Sequence, residues 1–318
     1  MTASECLNPG VPSALPVIGE QHYPPTRPAS EGLVACIAKT VRYRFFIIAG
    51  VFPYVLGWAA AGEVNWLTGI LGLAAVVLVG LGIEGMNECF DSRIGGDRVF
   101  ASTRRTGAWW HLPLGLGSFA AASVLAVCLA IMQDWGVLVF ALCGAAVALS
   151  YLMPPIRLSH RGLGEAAIAA GYGPGLTLGG FYLQTGQLSW RVAVLSLVPG
   201  LAVFATALAN EVPDYYGDRL VGKMNLIVRL GRRKGVILCG AVMALWFGLI
   251  ASLVILDVFP LALGLCLLLI PMAFRSVCYG LKNCETPRLY VRLIRTMILV
   301  FVIANTVAIM SYVFRRGI

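Results

Sequence analysis

Nine apolar runs, each long enough to cross a bilayer, leave this chain few folds to adopt. They cover about 43–61, 66–88, 109–131, 135–153, 164–184, 190–210, 234–255, 258–279 and 292–314. A bilayer core is about 30 Å thick and a helix rises about 1.5 Å per residue, so roughly 20 apolar residues make one crossing. Hydrocarbon offers no hydrogen-bond partner to a backbone, so each run must satisfy its own amides as a helix. With 59% hydrophobic and 12% charged residues and a mean hydropathy of +0.83, the chain carries more apolar surface than a soluble core needs. The expected fold is all-α: a polytopic membrane domain of nine transmembrane helices over 36–318, preceded by a tail over 1–35.

The basic residues give this topology an orientation. If the N-terminus is cytoplasmic, every Lys and Arg of the 24 except Arg191, Arg315 and Arg316 falls on the inner side, as the positive-inside bias requires. Removing or adding one middle helix destroys that asymmetry. The net charge of +9 therefore reads as topology plus attraction to anionic lipid and substrate, and not as a nucleic-acid footprint. The expected location is a bacterial or archaeal cytoplasmic membrane, with the N-terminus and any site facing the cytoplasm.

The first thirty residues, rich in Pro and small polar side chains and lacking an apolar stretch, read as a disordered tail and not as a signal peptide. None of the nine cysteines forms a CxxC pair, and Cys128, Cys143, Cys239 and Cys266 lie within apolar runs, where a thiol behaves as a small buried hydrophobe. His22, His111 and His160 are scattered. Zinc is not expected.

Dense charge is confined to two long inner segments, about 89–108 and 211–233, and each opens in the same way. In "NECFDSRIGGD" a run ends at Asn87 and Asp91 follows one helical turn later; in "NEVPDYYGDRLVGK" Asn210 is followed by Asp214 and Asp218 at the same spacing. Residues at i, i+4 and i+8 share one helix face. The Gly95-Gly96 pair breaks the first helix and lets Asp97 fold back. Two acidic faces can thus converge from opposite halves of one bundle. Crowded carboxylates repel one another, and hard divalent cations relieve the conflict: Mg²⁺ takes one or two protein carboxylates and completes its shell with water and substrate phosphates. Four carboxylates and two Mg²⁺ roughly cancel, so a diphosphate can enter beside Lys223, Arg98 and Arg161.

At these residues the sequence resembles the UbiA superfamily of intramembrane aromatic prenyltransferases, from about residue 40 to the last apolar run. Asn87-x-x-x-Asp91-x-x-x-Gly95-x-Asp97 is similar to the first acidic motif of the naphthoate (menaquinone-pathway) branch. "NEVPDYYGDRLVGKMNLIVRLG" is similar to its second, and "YLMPPIRLSHRGLGE" to a third inner-loop signature containing Tyr151, Arg161, Gly162, Gly164 and Glu165. Glu88, Pro213 and Asn225 depart from the usual Asp, Arg and Thr, and the absence of "NRP" argues against the hydroxybenzoate, haem and chlorophyll branches.

The resemblance implies nine helices around a central cavity capped by the inner loops. It implies two Mg²⁺ held by Asn87, Asp91, Asp97, Asn210, Asp214 and Asp218 on a polyprenyl diphosphate, with Asp91 and Asp214 essential for catalysis. Lys223 and Arg161 would stabilise the leaving diphosphate, and Arg42 would lie near the substrate cavity. From the residues themselves, Arg98 is placed to serve the diphosphate, Tyr151 either shields the cationic carbon or anchors the interface, and Glu84, at the inner end of its run, either lines the substrate cavity or pairs with a neighbouring Arg. The implied acceptor is an aromatic quinone precursor, 1,4-dihydroxy-2-naphthoate or a related ring; another aromatic or lipid acceptor is the alternative. A cation-coupled transporter is a further alternative, but transporters place ions near the midplane on broken helices, whereas these acids sit at helix ends.

Overall fold

The computed structural model describes residues 45–62, 64–94 and 111–315. The 1–35 tail, Arg42, Asp97 and Arg98 lie outside them. All regular elements of the described chain are helical, and it contains no strand. Its helices are α1 Phe45–Ala60, α2 Trp66–Ile94, α3 His111–Met132, α4 Gly136–Leu152, α5 Gly164–Ala170, α6 Leu176–Thr185, α7 Trp190–Leu195, α8 Leu197–Glu211, α9 Tyr215–Leu220, α10 Leu226–Leu230, α11 Arg232–Ile255, α12 Ile270–Asn283 and α13 Pro287–Arg315. Six helical stretches are long and apolar enough to cross a membrane: Trp66–Asn87, His111–Met132, Trp190–Glu211, Arg232–Ile255, Leu261–Asn283 and Leu289–Phe314. The Gly136–Leu152 helix is apolar but shorter.

Two of the apolar runs are not plain α-helix. Between α5 and α6, Gly171–Gly175 winds as one π turn containing Pro174. Proline has no N–H and its ring collides with the carbonyl four residues back, so a wider turn accommodates it without ending the helix. Leu261–Leu269 is a 3₁₀ stretch leading into α12, with Pro271 in the first α-helical turn, where a missing N–H costs nothing.

The stretch Trp190–Glu211 lies at the centre, with 72% of its apolar window buried, against 28% for the stretches containing α2 and α3. Its composition explains the position. Gly200, Ala202, Ala205, Ala207 and Ala209 are small enough for α5, α11 and α13 to approach α8 from several sides. Trp246 of α11, fully buried, donates its indole N–H to Val198 O at 2.7 Å, which satisfies the polar end of an otherwise apolar anchor. Cys239 and Cys266 are buried in this core, but Cys128 and Cys143 are exposed on the bundle's outer surface. That corrects the expectation of four buried thiols: a small apolar side chain tolerates lipid as readily as protein.

Helix crossings rest on glycine. A Cβ on Gly57 of α1 would fall on the Thr177 carbonyl of α6, and one on Gly180 of α6 would lie 2.5 Å from Tyr54 O. Gly173 and Gly200 form a similar crossing between the π turn and α8.

The two ends of the bundle differ. At one, connections are short and clasped by side chains: Gln184 accepts from Asn65 N at 2.8 Å, and Gln133 donates to Thr68 Oγ1 at 3.3 Å. Asp134 accepts from Tyr182 OH at 2.5 Å and Gly136 N at 2.6 Å, and these donors hold its carboxyl below the usual range. Trp66, Trp135 and Trp190 are all exposed at this end, where indoles favour a membrane–water boundary. The opposite end carries the polar segments 153–163 and 212–231.

The α1–α6 crossing yields a prediction. Gly57→Val must push α6 away from α1 and should cost about 1–3 kcal/mol, lowering the thermal unfolding midpoint in detergent by several degrees. Gly144→Ala, whose new methyl meets nothing within 4 Å, should leave the midpoint unchanged or slightly raised.

Candidate functional site

The polar end is assembled from three segments. Near the end of α2, Glu84 is buried and Asn87 lies about one turn further on. Asp91 continues the helix one turn beyond Asn87, so the backbone keeps the expected spacing; the Asp91 side chain lies outside the described residues.

The second segment leaves α4 after Tyr151 and returns as α5. Ser159 Oγ donates to Tyr151 O at 2.9 Å and lies 3.1 Å from His160 Nδ1. The hydroxyl has a single proton and spends it on Tyr151, which assigns the Nδ1–H tautomer to His160 and leaves Nε2 as an acceptor. Burial, with the nearby Arg157 and Lys223 charges, pushes the imidazole down to about 4, so it is neutral at physiological pH. Gly162, at φ +73°, makes the left-handed turn that starts the return. Gly164 then packs so closely on Ser159 that a Cβ would lie 2.9 Å from the Ser159 Cα.

The third segment follows α8. Asn210 sits at its last turn, the chain then turns at Val212–Asp214, Asp214 occupies the N-cap position of α9 without a side-chain capping bond, and Asp218 lies one turn into α9. The expected single helix face for the three is therefore broken between Asn210 and Asp214. Asp218 Oδ2 accepts from Asn225 Nδ2 at 2.6 Å and pairs with Lys223 Nζ at 3.1 Å. Gly222, at φ +72°, reverses the chain so that Lys223 N can bond Asp218 O at 2.8 Å. Asn225 then caps α10 by accepting from Val228 N at 2.8 Å, an arrangement worth about 1 kcal/mol. The first amide of that helix, Leu226 N, is taken by Glu165 Oε1 at 2.8 Å from the start of α5. Glu165 is 1% exposed and sits against Glu211, so the second and third segments are joined through a buried carboxylate.

Asn87, Tyr151, Leu152, Arg157, Ser159, His160 and Lys223 line one cavity of about 40 Å³. All three segments therefore meet, and the sequence-derived candidates Asn87, Tyr151 and Lys223 meet with them. Arg161 is exposed and donates to Pro155 O at 2.6 Å; the basic side chain of this segment that lines the cavity is Arg157. Its selection comes from backbone shape, since Arg157 adopts a left-handed conformation, φ 43° and ψ 62°, that no spacing rule anticipates. His160 and Ser159 were likewise invisible as site residues in a sequence without a histidine cluster. Arg232, which the sequence marks only as a basic topology residue, is a structural clamp. It is buried, pairs with Glu285, donates to Tyr216 OH at 2.8 Å and stacks over the same ring at 4.4 Å.

No three His, Cys, Asp or Glu side chains among the described residues could hold a metal ion by themselves. By type, the oxygen donors expected at a cation, Asn87, Asn210, Asp214 and Asp218, suit one shared with a phosphate ligand, since Mg²⁺ uses few protein ligands when substrate phosphates supply the rest. Of those four, Asn87 is the one that lines the cavity. Asp218 stands beside Lys223, the residue that carries this segment to the cavity.

The chain is 27% identical over 218 residues to a 2-carboxy-1,4-naphthoquinone phytyltransferase of Synechocystis sp., covering 67% of this chain and 70% of that protein. It is 27% identical over 192 residues to a 1,4-dihydroxy-2-naphthoate octaprenyltransferase of Mycobacterium tuberculosis, covering 57% of this chain and 65% of that protein. Among solved structures, a digeranylgeranylglyceryl phosphate synthase aligns with a TM-score of 0.64 at 17% identity, over 88% of this chain and 99% of that one. A UbiA homologue from Archaeoglobus fulgidus bound to GPP and Mg²⁺ aligns with a TM-score of 0.52 at 12% identity, over 86% and 99%. At these identities the structural likeness speaks for the fold alone. The UbiA prenyltransferase family profile matches residues 45–302, most of the chain and all three segments of the polar end, and the protein belongs to that family.

Proposed function

We propose that this prenyltransferase moves an isoprenyl chain from a polyprenyl diphosphate to 1,4-dihydroxy-2-naphthoate or a closely related quinone precursor, with two Mg²⁺ at the diphosphate. The observation that carries this reading is the single cavity in which Asn87, Tyr151, Arg157, His160 and Lys223 meet. The acceptor is inferred from the two naphthoate-type relatives, and the cation from the GPP- and Mg²⁺-bound homologue. The site would face the cytoplasm at the polar end of nine membrane-crossing helices, with the isoprenoid tail held between them.

The residues divide the work by charge. Lys223 and Arg157 give the cavity a positive potential that attracts a diphosphate and stabilises the negative charge growing on it as the allylic C1–O bond breaks. Asn87, Asp91, Asp97, Asn210, Asp214 and Asp218 would hold the Mg²⁺, which when bound neutralises the diphosphate oxygens. The electron pair of the broken bond leaves with the diphosphate, and the electron-poor C1 is attacked by a ring carbon of the acceptor. The ring regains aromaticity by losing a proton or, at a carboxylated carbon, carbon dioxide. Tyr151 can shield the cation with its ring face. His160, neutral and with Nε2 unprotonated, can accept a ring proton. Glu165 acts at one remove, because its bond to Leu226 N fixes the turn that presents Lys223.

The test is extraction of labelled product from purified protein, geranylgeranyl diphosphate, Mg²⁺ and a panel of naphthoate and other acceptors. Asp214→Ala and Asp91→Ala should each reduce product by at least about 10²-fold, EDTA should abolish it, and exposed Arg233→Ala should keep most of it. Full product in both Asp variants or in EDTA would refute the assignment.

A second prediction separates holding Lys223 from making contact with substrate. Glu165→Ala should raise the diphosphate KM several-fold, whereas Glu165→Gln, whose amide oxygen can still accept from Leu226 N, should restore it to near wild type. Equal KM values for the two variants would rule out the positioning role.

A further inference from the structure

A second groove, of about 640 Å³, lies between α12 and α13 and shares no lining residue with the candidate site. Its wall carries Arg292 and Arg295, with Tyr279, Leu289, Thr296 and Leu299 completing it. Leu289, Arg292, Thr296 and Leu299 recur at helical spacing along one face of α13. Pairing of Arg232 at the start of α11 with Glu285 in the α12–α13 turn places this turn at the polar end of the bundle. Arg292 and Arg295 therefore sit one to two turns inside that end, and Leu299 lies about one turn deeper.

Both guanidiniums are exposed, yet both fall within the apolar stretch Leu289–Phe314. A cation at that depth is costly unless something anionic accompanies it. The ion pairs of the described residues are Lys223–Asp218 and Arg232–Glu285, so no described carboxylate serves either arginine. Arg292 is steadied by the Tyr279 ring, 5.0 Å from its guanidinium carbon, which leaves its N–H edge available. Two arginines at interfacial depth, above leucines that continue into the apolar zone, match a ligand with an anionic phosphate head and a hydrocarbon tail.

We propose that this groove binds one anionic phospholipid of the leaflet on the polar side, with its phosphate between Arg292 and Arg295 and an acyl chain along Leu299. A prenyl diphosphate fits less well, because the groove wall has no carboxylate to share the divalent cation that such a head carries.

Native mass spectrometry of the full chain in non-ionic detergent, titrated with phosphatidylglycerol, phosphatidylcholine, geranylgeranyl diphosphate or inorganic phosphate, tests the assignment. Wild type should retain one phosphatidylglycerol about tenfold or more tightly than phosphatidylcholine, and R292Q/R295Q should lose that preference. Arg295→Gln alone, at an exposed position, should weaken retention in the same direction and keeps the test valid should the double variant unfold. Equal retention of the two lipids by wild type would overturn the proposal, as would unchanged preference in both variants. Displacement of phosphatidylglycerol by inorganic phosphate at equal concentration would assign the site to free phosphate, and displacement by geranylgeranyl diphosphate to substrate; either result would also overturn it.

Discussion

A hydrocarbon medium accepts no uncompensated charge and no unpaired amide, and this structure depends on that constraint. It makes every regular element of the described chain a helix, clears the long apolar stretches of carboxylates apart from those near their polar ends, and gathers the polar side chains of the candidate site at one end. The other end needs only to close, which it does with short connections, a few amide and hydroxyl contacts, and tryptophans at the boundary. The polar end must instead build a folded surface out of loops. It does so by giving nearly every turn a named partner: Ser159 on Tyr151, Asn225 on Asp218 and Val228, Glu165 on Leu226.

These contacts connect the bundle to the chemistry. Lys223 reaches the cavity because Gly222 reverses the chain, Asp218 holds the lysine from two directions, and Glu165 fixes the helix that follows. Glu165 belongs to α5, which packs on the central helix α8, so the position of a flexible lysine is referred back to the most buried part of the molecule. The close glycine contacts at Gly57, Gly180, Gly173 and Gly200 keep that reference stable, since helices touching at backbone distance have little room to slide.

The electrostatics of the two grooves follow the same rule with different partners. In the candidate site, basic residues stand beside oxygen donors suited to a cation, which is a setting for a multiply charged head. Between α12 and α13 the basic residues have no described carboxylate, a setting for a singly charged one.

Much of this was legible in the sequence, for reasons that are local. Apolar length is a property of consecutive residues, so the long helices could be read directly, as could the one-turn spacing of Asn87 and Asp91; Asn210, Asp214 and Asp218 do not share one helix face, because the chain turns at Val212–Asp214 between α8 and α9. Asn87, Tyr151 and Lys223 come from the three inner motifs that the sequence singled out, and the fold brings them to one cavity. Other features depended on partners distant in sequence or on backbone shape. Arg232 became a clamp through Glu285 and Tyr216, Arg157 rather than Arg161 lined the cavity through a left-handed turn, and Glu165 found Leu226 across sixty-one residues. The sequence by itself determined which segments are long and apolar enough to cross and where charge collects, because transfer into lipid is decided residue by residue. Only the tertiary structure decided which side chains share a cavity, because that depends on how helices rotate and loops return, and no single segment carries the information.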